Sequence, residues 1–89
     1  MPSISRRLST HTLQRRLAVG RLLRTARLHA NLSPEELAER ANLDRKTVNR
    51  IEGGLMSPRV DSLLDIADAL GVSPRELLPE RLDPPPPTA

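Results

Sequence analysis

Cysteine, tryptophan, tyrosine and phenylalanine are all absent from the 89 residues. Without cysteine there is no disulfide framework, no thiolate metal site and no thiol nucleophile. Only His11 and His29 supply imidazole, too few for the common zinc sites, so neither a metal nor a cofactor is expected. Without aromatic side chains the chain cannot stack bases as single-strand and RNA-loop binders do. No apolar run approaches the roughly 20 residues of a membrane span. Met1 to Arg16 lacks the apolar stretch of a secretory signal, although its Ser, Thr and Arg without acids leave a transit peptide formally open. A cytoplasmic protein with no membrane partner is the expectation.

Lysine is nearly absent too. Lys46 stands alone beside 13 arginines, and the net charge is only +3. The length permits one domain, and 37% apolar residues, nearly all aliphatic, build a modest core. A second subunit or a ligand then matters for stability. The small net charge hides a gradient. Residues 1–30 hold seven arginines and no acid, residues 31–59 balance five cations against five acids, and residues 60–89 hold two cations against six acids. Such polarity fits one surface for a polyanion and another for something else. Accidental clustering on a solvated surface fits the same numbers.

The ends differ from the middle. Residues 1–12 form a basic arm with no sustained apolar period, and residues 81–89 form a proline-rich tail that favours polyproline II. Both are expected to be flexible. Residues 13–80 carry the domain. There, Ser33-Pro34-Glu35-Glu36 and Ser73-Pro74-Arg75-Glu76 each place a Ser cap, a Pro at the first helical position and a Glu at the third. Asp44 caps a third start. Gly53-Gly54 and Gly71 are helix stops, and Asn31 and Asn42 sit where a left-handed residue is useful. Five helices follow, at about Thr12–Ala30, Pro34–Ala41, Arg45–Gly53, Val60–Leu70 and Pro74–Leu78. No stretch alternates with period two, so no sheet is expected and the class is all-α.

Apolar positions agree with this division. Val19, Leu22, Leu23, Ala26 and Ala30 share a face of the first helix, Leu37, Ala38 and Ala41 one of the second, and Thr47, Val48 and Ile51 one of the third. Leu63, Leu64, Ala67 and Leu70 line the fourth, and Leu77 and Leu78 close the bundle. Leu13, Leu17 and Leu28 fall off the main stripe. They meet a partner, or the helix breaks near Gly20, or they are simply exposed.

Leu32 to Glu52 has the form of a helix-turn-helix: two short helices, a tight turn at Asn42-Leu43-Asp44, and a small Ala38 at the crossing. On the outer face of the second of these helices stand Arg45, Lys46, Asn49 and Arg50, opposite Val48 and Ile51. Arg pairs with guanine O6 and N7, and Asn with adenine N6 and N7. Base reading needs such donors in the first two turns of the helix that enters the major groove. An ordinary solvated helix face is the bland alternative, weakened by four donors with no acid among them.

At this point the chain resembles the Cro/repressor-type (XRE-family) helix-turn-helix proteins over about residues 19–78. The matching residues include Gly20, Arg27, Leu32-Ser33, Glu36-Leu37-Ala38, Val48, Ile51-Glu52, Pro58, Leu63-Leu64, Ile66-Ala67 and Leu70-Gly71-Val72-Ser73. The resemblance implies a compact five-helix, lambda-repressor-like domain that binds duplex DNA as a homodimer. It implies base readers at Arg45, Lys46, Asn49 and Arg50. It implies backbone contacts at Ser33, Thr47, Gly54, Ser57 and Arg59, with Arg24 a further anchor because Pro34 offers no donor. It implies an ion pair between Arg27 and Glu52. The acidic C-terminal third is expected to face away from DNA, with Ile66, Leu78 and Leu82 at the dimer interface. The function expected is a sequence-specific transcriptional repressor on a palindromic operator. An antitoxin that binds a protein toxin and represses its own operon is the alternative. A restriction-system controller or phage switch differs in operon rather than in chemistry. No enzyme is expected: Asp61, Asp65 and Asp68 share a helix but look like a solvated face.

Overall fold

In the computed structural model, which describes residues 9–80, three of the five helical starts and all four α-helix stops have a local cause. Helix α1 (Thr10–His29) begins at Ser9, whose hydroxyl accepts from the Thr12 N–H. Helix α2 (Pro34–Ala41) and the short 3-10 turn at Pro74–Leu77 each begin with a complete capping box, Ser33 with Glu36 and Ser73 with Glu76. Asp44 precedes α3 (Arg45–Glu52) without making a side-chain cap bond, and Arg59 precedes α4 (Val60–Leu70) likewise.

The four α-helices end by one device. A left-handed residue (Asn31, Asn42, Gly54 or Gly71) turns the chain out of the helix. The next residue's N–H then reaches back five positions: Leu32 to Arg27, Leu43 to Ala38, Leu55 to Arg50 and Val72 to Ala67. Each satisfies a carbonyl that the helix end would otherwise orphan. Asparagine takes this conformation more readily than other residues with a Cβ, which is why it can stand at two of the four stops.

Packing follows from the apolar stripes. Helix α2 lies against both α3 and α4, α1 lies against α3, and the 3-10 turn closes onto α1 and α4. Leu23, Leu37, Val48, Ile51, Ile66 and Leu77 are fully buried between them. Ala38 and Ala41 fill the α2 crossing, with Leu43 and Met56 packed at the edge. Among the described residues there is no strand, and no helix is long and apolar enough to cross a membrane.

Several expectations change. Helix α1 starts two residues earlier than the apolar pattern suggests, so residues 10–12 belong to it and not to the arm. It runs unbroken through Gly20, leaving Leu13, Leu17 and Leu28 exposed on its surface. Leu64 is exposed rather than inward. The last element is a single 3-10 turn because Leu78 is extended (φ −113°, ψ 137°), the conformation that the following Pro79 favours. The expected arm at residues 1–8 and the tail from 81 lie outside the described residues.

Candidate nucleic-acid interface

Helix α3 has eight residues and two unlike faces. Val48 and Ile51 are buried in the core, while Arg45, Lys46, Asn49 and Arg50 are all exposed on the opposite side. The helix is pinned from behind at its C-terminal end. Gly20 of α1 lies so close that an added Cβ would stand 2.5 Å from the carbonyl oxygens of both Ile51 and Glu52. Only glycine allows the two backbones to approach this far.

A buried ion pair fixes the same end. The Arg27 guanidinium donates to Glu52 through Nε (2.6 Å) and Nη2 (3.0 Å), and through Nη1 to the Leu32 carbonyl (2.8 Å). The two side chains are only 7% and 10% exposed. This forked geometry satisfies the buried cation on three sides, and the hydrogen bond to Glu52 raises the Arg27 pKa further above its ordinary range. One residue of α1 therefore ties together the end of α3 and the entry to α2.

At the other end, Arg45 Nη1 donates to Glu35 Oε2 at 3.0 Å, an exposed pair. Glu35 lies in the first turn of α2. Its own backbone N–H, and then Arg45, hold its carboxyl below the ordinary range. In the sequence Glu35 reads only as part of the Ser33-Pro34-Glu35-Glu36 helix start. Its link to Arg45 spans ten positions and depends on the tilt between α2 and α3, which no local pattern reports. Arg45 Nε and Nη2 make no hydrogen bond among the described residues, so one edge of the guanidinium keeps its donors.

The expected backbone contacts divide. Ser57 and Arg59 are exposed in the loop that leaves α3, and Arg24 is exposed on α1. Ser33 is half-buried, and its oxygen accepts from the Glu36 N–H. Thr47 is half-buried beside the exposed face of α3. Gly54 must be removed from this set. It is buried beneath Leu17, and its N–H already donates to the Ile51 carbonyl. Ile66 must likewise be removed from any dimer surface, because it is fully buried in the core. The reason is legible in the sequence: Leu63, Ile66, Ala67 and Leu70 form the inward stripe of α4. Leu78 is exposed as such a surface requires, and Leu82 lies outside the described residues. No group of three or more His, Asp or Glu side chains that could hold a metal occurs among the described residues.

Comparison with known proteins agrees with this geometry. The helix-turn-helix family model matches residues 23–77. The control protein C.BamHI of Bacillus amyloliquefaciens is 39% identical over 64 residues, 71% of this chain and 79% of that one. The restriction-modification controller protein C.AhdI of Aeromonas hydrophila superposes with a TM-score of 0.69 at 36% identity, over 71% of this chain and 96% of its own. The clp gene regulator ClgR of C. glutamicum superposes with a TM-score of 0.66 at 27% identity, over 70% and 80%.

Proposed function

This chain belongs to the XRE-type helix-turn-helix family of DNA-binding transcription regulators, and from that premise we propose that it is a sequence-specific reader of duplex DNA of the restriction-modification controller kind. The observation that carries this is the exposed face of α3, where Arg45, Lys46, Asn49 and Arg50 stand together and only Arg45 is paired with an acid, Glu35 of α2. Such a face reads base edges by bidentate hydrogen bonds. The likeness to two controller proteins, one over almost its whole length, supports the controller role. The protein acts in the cytoplasm as a homodimer, with two α3 helices about 34 Å apart on a palindromic site. Leu78 belongs to the dimer surface, and Leu82 is proposed with it. Bound at a promoter, the dimer represses by occlusion. Catalysis is not part of the reading: Asp61, Asp65 and Asp68 are all exposed on the outer side of α4.

Selection of bound duplexes from a random pool, at two salt concentrations, tests this directly. A palindromic consensus with half-sites one helical turn apart is expected. Arg45→Ala and Arg50→Ala are each expected to cost about 1–3 kcal/mol on that site and to relax base preference at one position. A pool that yields no consensus, or variants that keep full preference, would refute the assignment.

A further inference from the structure

Helix α1 carries Arg15, Arg16, Arg21, Arg24 and Arg27 and no carboxylate. Of these only Arg27 has an ion-pair partner among the described residues. Arg15 and Arg16 are further distinguished by what faces them. Together with Thr12 and Val19 they form one wall of a cleft of about 210 Å³, and Ser57 and Pro58 form the other. The spacing 12, 15, 16, 19 puts all four α1 residues on one helical face. Arg15 Nη2 donates weakly to the Thr12 hydroxyl at 3.4 Å. Ser57 Oγ makes only a 3.4 Å contact with the Pro58 carbonyl. Arg16 Nε is buried and has no hydrogen-bond partner among the described residues. A buried donor without a partner is costly. The Arg16 side chain lines a cleft that gathers two cations and two hydroxyls and no acid.

We propose that this cleft binds a phosphate oxygen of the DNA backbone, using Arg15, Arg16 and Ser57. The inference rests on the reading of α3 as the helix in the major groove. That groove is about 12 Å wide and a helix with its side chains is about 10–12 Å across, so a chain leaving α3 must pass the sugar-phosphate wall. Ser57 and Pro58 lie on that outgoing loop, and the N-terminal half of α1 runs beside them. The cleft thus meets the backbone at the edge of the read sequence. Pro34 leaves the start of α2 without an N–H or a side-chain donor, and Glu35 and Glu36 follow it in the first turn. Arg15 and Arg16 supply the positive anchor that this helix start lacks. Contacts of this kind set register and orientation without reading bases.

The test uses the full chain, its Arg15→Gln/Arg16→Gln double variant, and a control of equal charge change on the far side of α1, Arg21→Gln/Arg75→Gln. Each is titrated against a labelled 30-base-pair duplex of random sequence over a series of salt concentrations. The slope of log affinity against log salt should become shallower by about 1 per lost phosphate contact in the cleft variant, and should stay at the parent value in the control. In parallel, inorganic phosphate is titrated and followed by NMR. The Arg16 Nε–H and Ser57 amide signals should shift in the parent, and the Ser57 amide should stay in place in the cleft variant. An unchanged slope overturns the assignment to DNA; if phosphate alone still shifts those signals, the cleft takes a free anion instead. An equal loss of slope in the control overturns it too, since the effect is then general charge. If the parent binds no duplex, the reading of α3 falls first and this inference with it. If the slope falls while the selected consensus is unchanged, both stand.

Discussion

Replacing Gly20 by alanine separates two opposed effects that the structure lets one weigh. In a solvent-facing helix, alanine gains about 0.5–1 kcal/mol over glycine from backbone entropy. At Gly20 the new methyl would lie 2.5 Å from the carbonyl oxygens of Ile51 and Glu52 and 2.9 Å from the Glu52 carbonyl carbon. Carbon is comfortable at about 3.5 Å or more, so α1 and the end of α3 must part by roughly 1 Å. Both obstacles are backbone, and neither can rotate away. Overpacking costs about 1–3 kcal/mol, and two rigid contacts place this site at the upper end. After the propensity gain, a net loss of about 2 kcal/mol is expected, a large share of what holds a small domain together. Urea unfolding followed by far-UV circular dichroism measures it, since the chain has no aromatic fluorophore. Affinity for the selected duplex should fall as well, because the displaced atoms belong to the last two residues of α3. A midpoint that rises, as in an open helix, would refute the close crossing. Gly71 provides the contrast: nothing stands within 4 Å of its Cβ position, but its φ is +69°. There the cost of alanine, about 1 kcal/mol, comes from left-handed strain alone.

Three further outcomes are expected. Glu52→Gln strips the buried Arg27 cation of its counter-charge and should cost about 3–5 kcal/mol in urea unfolding, while the paired change Arg27→Met/Glu52→Leu should recover much of that loss. Ser33→Ala removes one half of a capping box and should lower stability by about 1 kcal/mol. Glu36 reports on acid. The Ser33 N–H, donating to it at 2.8 Å, and then the Ser33 hydroxyl hold its carboxyl below the ordinary value of 4.5. The folded state prefers the carboxylate, so this contribution is whole above pH 4.5 and is lost as pH falls through the lower folded value. Glu36→Gln keeps the capping geometry and should flatten the stability loss below pH 4.5; an acid limb identical to the parent's would refute it.

Much of this fold is written in short-range chemistry. Both capping boxes and all four left-handed stops can be read from a few adjacent residues, because each is satisfied by atoms within five positions of itself. The buried stripe of α2 and the exposed donor face of α3 follow from helical period. Three features do not. The early start of α1 rests on Ser9 with Thr12 three positions on, a cap without the glutamate that marks the other two. Gly20 stands out in the sequence as a glycine inside a helix, but its purpose is a neighbour 31 positions away. Arg16 looks like any surface arginine until the loop from α3 closes over it. Long-range partners decide the last two, while the first rests on a local cap that lacks the usual mark. The 3-10 turn is a different case, since Pro79 already signals that Leu78 leaves the helix.

The unbroken course of α1 has a thermodynamic corollary. At 1.5 Å per residue its 20 residues form a rod of about 30 Å. One end bears the Arg15 and Arg16 cleft, the middle bears the Gly20 crossing, and Arg27 holds Glu52 near the other. A rigid rod cannot tilt at one station without moving at the rest. Energies assigned to these sites one at a time will therefore not sum. Weakening the Arg27 clasp lets the rod pivot, and part of the cleft's grip is then already spent before Arg16 is touched. The quantity that characterises this protein is the interaction term between changes at Arg27 and at Arg16 rather than the effect of either change alone.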